Sequence, residues 1–143
     1  MKILVLNGPN LARLDIRDSS IYGDLNYGEL KNLIISASIT HGFDADVRQS
    51  DDESTIIGWL HEAADEKLPV IINPAAFTHY SIAIRDAAEL LTMPLIEVHL
   101  SNPMAREDFR HTSVIAGVAQ GSIAGFGPNS YVLALIALKN LLQ

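Results

Sequence analysis

The sequence predicts an α/β fold in which helices cover both faces of a five-stranded parallel sheet. Three observations carry this expectation. Short β-branched runs, at residues 3–6 and 70–72, alternate with stretches of helical periodicity. The runs are apolar at every position, as in strands buried on both faces. With 143 residues, 48% of them hydrophobic, the chain is sized for one domain, 1–143, with a sizeable core. Strands alternating with helices imply right-handed crossovers and therefore parallel pairing in a doubly wound sheet.

The elements follow in order. Residues 3–6 form the first strand, stopped by the turn signal Asn7-Gly8-Pro9. Leu30, Leu33, Ile34 and Ala37 mark one face of the first long helix, with Asn26 as N-cap and Gly42 as stop. Residues 45–49 are a weaker strand. Ile56, Ile57, Trp59, Leu60, Ala63 and Ala64 line a second helix that Pro69 prevents from continuing. Residues 70–72, 82–91 and 95–100 read as strand, helix and strand, and 122–124 as the fifth strand. The final helix, 130–142, is apolar nearly all round through Val132, Leu133, Leu135, Ile136, Leu138 and Leu141, so it should be deeply packed or meet another subunit. A flavodoxin-like strand order suits this length. Residues 7–26 stand apart as an unusually long connection, expected to be a functional loop and often a lid.

Composition narrows the chemistry. Ten basic residues against seventeen acidic ones, a net charge of -7, argue against a nucleic-acid partner, which requires a basic stripe. No apolar run is long enough to span a membrane. The start of the chain does not resemble a signal peptide, so a cytoplasmic location is expected. The absence of cysteine removes thiol catalysis, disulfides and cysteine-based zinc sites. There is no G-x-G-x-x-G after the first strand and no P-loop, and His61-Glu62 lacks the second histidine of a zinc-protease motif. No cofactor and no metal are implied.

Ligands of open parallel sheets bind beyond the carboxyl ends of the strands. Here those ends carry Asn7-Gly8-Pro9-Asn10, Asn73 through His79, and Glu97 through Asn102. Glu97 and His99 are two apart on a strand and therefore point the same way. A carboxylate beside an imidazole fixes its tautomer and suits it to general acid catalysis, although a purely structural pair would look the same. Arg106 and Arg110, four apart, would share a face on one helical turn and could hold a carboxylate or phosphate, or else pair with Glu107 and Asp108 on the surface. In the long connection, Arg17 could stabilise a tyrosinate at Tyr22, or the two could be a solvated arginine and an anchoring aromatic. His79 and Asp86 flank the start of the third helix, where they could hold substrate hydroxyls or cap the helix and pair with Arg85.

At these residues the chain resembles the type II 3-dehydroquinate dehydratases. The likeness rests on seven blocks in the family's order: Asn7-Gly8-Pro9-Asn10-Leu11, Tyr22-Gly23, Val47-Arg48-Gln49-Ser50, Asn73 to His79, Arg85-Asp86-Ala87, Ile96 to Asn102, and Arg106-Glu107-x-Phe109-Arg110. It implies a single catalytic domain that reversibly removes water from 3-dehydroquinate, a small-molecule substrate, to give 3-dehydroshikimate through an enolate. By the resemblance, Tyr22 activated by Arg17 removes the proton next to the ketone, and Asn10 holds a water that stabilises the enolate. His99, oriented by Glu97, protonates the departing hydroxyl. Asn73, His79, Asp86, Arg110 and the amides of Leu100 and Ser101 bind substrate, Arg106 closes over the site, and the protein assembles as a dodecamer in which Asp86 reaches a neighbour. The four lysines, Lys2, Lys31, Lys67 and Lys139, lie at none of the predicted carboxyl-end sites, so an imine route has no nucleophile there. A catalytically inactive relative that binds a polyhydroxylated acid is the alternative, opposed by the intact Tyr22, Arg17 and His99.

The departures from the family pattern cluster in the connection. Asp15 stands where glycine is usual, and Asp18-Ser19 where Glu-Pro is usual. These changes predict a mobile lid whose carboxylates compete with Tyr22 for Arg17. Tyr80 replaces a small hydroxyl residue at the rim near His79.

Overall fold

A computed structural model describes all 143 residues. Strands β1 (Lys2–Asn7), β2 (Asp44–Gln49), β3 (Val70–Asn73), β4 (Leu95–His99) and β5 (Gly121–Ala124) form one sheet in the order β2-β1-β3-β4-β5, parallel throughout. This is the flavodoxin-like order. The helices are α1 (Ser19–Tyr22), α2 (Tyr27–Thr40), α3 (Glu53–Glu66), α4 (Ile82–Ala88) and α5 (Asn129–Leu141).

Strand alternation divides the apolar side chains between two cores. On one face Ile3, Val5, Ile71, Ile96 and Val98 pack against Leu30 and Ile34 of α2 and Leu135 and Leu138 of α5. On the other, Leu4, Leu6, Val70, Ile72 and Leu95 meet Ile56 and Leu60 of α3 and Ile84 of α4. The central strands β1 and β3 thus bury both faces, which is why their sequences show no polar alternation.

Local chemistry sets the helix ends. Asn26 begins α2 by accepting from the Glu29 amide while the Glu29 side chain accepts from the Asn26 amide, a reciprocal capping box. Gly42 follows the end of α2 at φ +83°, and the amides of Gly42 and Phe43 return to the carbonyls of Ile39 and Ser38. That is the Schellman closure, which favours glycine at the left-handed position. Helix α4 stops three residues short of the expected 91, because the amides of Leu90 and Leu91 bond three residues back, to Ala87 and Ala88. Helix α5 is deeply packed on one side, yet Ile136 and Leu141 on its outer side are 41% and 49% exposed.

The long connection after β1 differs from the expected loop. It holds a kinked 3₁₀ segment, Leu11–Ile16, followed by α1. The reason is visible in the sequence once the structure is known: Leu11 and Leu14 are three apart and both insert into the first core, and Asp18 caps α1 at the Ser20 amide.

Candidate active site

The loops beyond β1, β3 and β4 enclose a cavity of about 110 Å³. Gly8 brings the first two of these loops together. Its amide donates to the Asn73 carbonyl at 2.8 Å, and a Cβ on Gly8 would lie 2.5 Å from the Pro74 oxygen. Only glycine permits that approach. Two residues on, Asn10 takes a left-handed conformation at φ 69°, which asparagine tolerates better than most residues, with its amide held by Asp51 at 2.9 Å. This turn sets Asn10 on the cavity wall.

Asn73, at the end of β3, is held on two sides. Its Oδ1 accepts from the Ala75 amide at 3.1 Å, and its Nδ2 donates to the Tyr131 hydroxyl at 2.9 Å. That hydroxyl in turn donates to Asn7 Oδ1 at 2.6 Å. Burial pushes the Tyr131 phenol far above its ordinary range, so it remains neutral and serves both asparagines. With these bonds made, Asn73 has one N–H left to face the cavity that it lines. His79 donates from Nδ1 to the Thr112 carbonyl at 2.8 Å, which leaves Nε2 free.

The Glu97–His99 pair on β4 points one way, as strand geometry requires. His99 Nε2 lies 2.5 Å from Glu97 Oε2, and Glu97 is 1% exposed. Burial raises the tendency of Glu97 to hold a proton. The His99 hydrogen bond and charge, with the hydroxyls of Thr78 and Ser113, outweigh burial and hold it below the ordinary 4.5. Glu97 is therefore an anion beneath the cavity, and His99 is the member of the pair that lines it.

Three guanidiniums, Arg17, Arg106 and Arg110, line the same cavity, and no carboxylate does. The Arg17 guanidinium carbon lies 3.5 Å above the Tyr22 ring centre. Burial lowers the proton affinity of Arg17, as do the charges of Arg106 and Arg110, while Tyr22 opposes them. Arg106 donates to the Tyr22 hydroxyl at 2.7 Å and to Ser101 Oγ at 3.2 Å, so it ties the lid to the end of β4. Arg106 and Arg110 do not share a helical turn as expected. Arg106 is extended between two 3₁₀ turns, Pro103–Ala105 and Asp108–Arg110, and its carbonyl bonds to the His111 ring at 3.0 Å. Arg110 bonds to Glu107 and still reaches the cavity. The lid carboxylates do not compete for Arg17: Asp15 pairs with Arg13, and Asp18 accepts from Ser20.

Ten of the expected residues thus line one cavity, namely Asn10, Arg17, Tyr22, Asn73, His79, His99, Leu100, Ser101, Arg106 and Arg110, with Glu97 directly behind. Asp86 is not among them; it is exposed on α4.

A family model described as dehydroquinase class II matches residues 1–139. The chain belongs to the class II dehydroquinase family. It is 53% identical to the 3-dehydroquinate dehydratase of Mycobacteroides abscessus over 135 residues, 94% of each chain. It is 52% identical to that of Salinispora tropica over the same shares. The crystal structure of type II dehydroquinase from Propionibacterium acnes superposes with a TM-score of 0.94 at 50% identity, covering 97% of this chain and 96% of that one.

Within this class II dehydroquinase, sequence reasoning missed the residues that support the site. Thr78 and Ser113 grip Glu97, Thr112 orients His79 through its carbonyl, and Tyr131 orients Asn73. Only Tyr131 carried a usable signal: it is a polar aromatic near the start of an otherwise apolar helix, and burial obliges its hydroxyl to find partners.

Proposed function

We propose that this class II dehydroquinase reversibly dehydrates 3-dehydroquinate to 3-dehydroshikimate through an enolate, in the shikimate route. The observation that carries the reading is one cavity in which Tyr22, clasped by two arginines, and His99, backed by an ionised Glu97, face a cationic wall. The cationic wall suits a small carboxylate substrate. Tyr22, activated by the Arg17 guanidinium that lies over its ring, takes the proton next to the ketone. Electrons move onto the ketone oxygen, where a water held by Asn10 stabilises the enolate. Collapse of the enolate forms the carbon–carbon double bond and expels the hydroxyl, which leaves as water with a proton from His99. Asn73, His79, Arg110 and the amides of Leu100 and Ser101 hold the hydroxyls and carboxylate, and Arg106 closes the lid. No cofactor enters this sequence of steps.

Assembly is part of the proposal. The outward position of Asp86 fits a residue offered to a neighbouring subunit, and the exposed apolar face of α5 fits burial in a homo-oligomer, for which a dodecamer is proposed. No helix is long and apolar enough to cross a membrane, and a cytoplasmic site of action is proposed.

The test is formation of the conjugated enone from 3-dehydroquinate by purified protein, with Tyr22→Phe and His99→Ala as controls. Turnover by wild type and its loss in both variants are expected. Absence of wild-type turnover would support the inactive-relative reading. Inactivation by borohydride in the presence of substrate would indicate an imine instead.

A further inference from the structure

Glu97 is gripped by two hydroxyls that the steps above do not use. Ser113 Oγ accepts from the amides of Ile115 at 3.1 Å and Ala116 at 2.9 Å, which fills both of its lone pairs. Its single proton is left to donate, and Glu97 Oε1 lies 2.8 Å away. Thr78 Oγ1 is 2.5 Å from Glu97 Oε2 and 2.8 Å from Ser113 Oγ. Both hydroxyl protons are thereby directed at the carboxylate, an arrangement that favours the anion. A carboxylate anion only accepts, so His99 Nε2 must carry the proton that joins the pair, and Nδ1 is the atom left for the cavity.

Ser113 is not placed by chance contact. The Val114 amide donates to the Thr78 carbonyl at 2.7 Å, Arg85 donates to the Val114 carbonyl at 2.6 Å, and His79 donates to the Thr112 carbonyl. Residues 112–114 therefore form a strap across the back of the site that supports both cavity histidines.

We propose that Thr78 and Ser113 are positioning residues of the reaction: their hydroxyls hold Glu97 as an oriented anion, which keeps the His99 Nε2–H on Glu97 and turns Nδ1, the atom that delivers the second proton of the imidazolium to the leaving hydroxyl, toward substrate. The proposal rests on the role given to His99 above. The charged and titratable groups near His99 are Glu97 beneath it and, around the cavity, Arg17, Tyr22, His79, Arg106 and Arg110. Of these, only Glu97 touches the two hydroxyls.

The experiment compares Thr78→Val, which keeps the shape and removes the hydroxyl, with Thr78→Ser, which restores it, and adds Ser113→Ala. Loss of one hydrogen bond to a charged group should lower kcat about tenfold in Thr78→Val and Ser113→Ala, with KM little changed. The acid limb of kcat should move to higher pH in both, because Glu97 then protonates sooner. Thr78→Ser should keep most activity and the wild-type limb. Nitrogen-15 spectra of His99, recorded without substrate, should show the Nε2–H form depleted in Thr78→Val. Equal losses in Thr78→Val and Thr78→Ser, an unmoved acid limb, or an unchanged tautomer would each overturn the proposal. If Ser113→Ala fails to fold, the Thr78 pair decides alone. A wild type without turnover would defeat the functional reading, whereas the spectra would still judge the tautomer.

Discussion

Replacing Tyr131 by phenylalanine removes one oxygen from the floor beneath the site and disconnects two asparagines. Asn7 Oδ1 loses the donor at 2.6 Å, and Asn73 Nδ2 loses the acceptor at 2.9 Å, with both side chains inaccessible or nearly so. Leaving a buried polar group without its partner costs about 1–3 kcal/mol, so two such groups give a loss of about 2–6 kcal/mol. Unfolding entropy of about 2.1 cal/mol/K per residue gives about 0.3 kcal/mol/K for a chain of this length. The melting temperature should therefore fall by roughly 7–20 °C when wild type and variant are compared by circular dichroism at equal protein concentration. Activity should change in KM as well, because the free amide of Asn73 is no longer held toward the cavity. A fall in Tm below about 2 °C, with KM unchanged, would refute the claim that this hydroxyl organises Asn73.

Gly8→Ala would set a methyl group against the Pro74 carbonyl, backbone against backbone, and should destabilise the fold by about 1–3 kcal/mol while lowering kcat; a urea midpoint equal to wild type contradicts this. Arg106→Lys keeps the charge but loses the fork that reaches Tyr22 and Ser101 together, so kcat/KM should fall on the order of tenfold, and wild-type kinetics would show that charge alone suffices. Glu97 in the folded state ionises below the ordinary 4.5, so its contribution to stability is complete above 4.5 and is lost as pH falls through the lower folded value. Thermal melts from pH 7 to pH 3 should show this loss, and the slope below 4.5 should be shallower in Glu97→Gln; identical slopes would remove Glu97 from the acid response.

The parts of the fold that depend on local pattern were legible. Strands buried on both faces announce themselves by unbroken apolar runs, and α2 announces both of its ends through Asn26, Glu29 and Gly42. The Glu97–His99 contact followed from the two-residue period of a strand. The connection after β1 reads as functional from its length, but its 3₁₀ and helical order was not legible, because that order comes from two leucines inserted into the first core, a tertiary effect that local turn chemistry does not reveal. The Arg106–Arg110 spacing misled for a related reason: four residues suggest a helical turn, yet Pro103 starts a separate 3₁₀ turn and the chain straightens at Arg106. Thr78 and Ser113 are 35 residues apart, and no periodicity links them. They meet only because the strap at 112–114 folds back onto the turn after β3.

The approach of Gly8 to Pro74 also bears on how such sites can be recombined. The loops after β1 and β3 touch through main-chain atoms, so a replacement for the first must keep glycine at position 8 and one for the second must keep the course of the main chain at Pro74. Chimeras that exchange either loop with glycine retained should keep the register of Asn10 and Asn73, whereas a loop that brings any side chain to position 8 would meet a main-chain clash that side-chain repacking could not absorb. Gly8 thereby sets one shared condition on the exchange of two segments more than sixty residues apart.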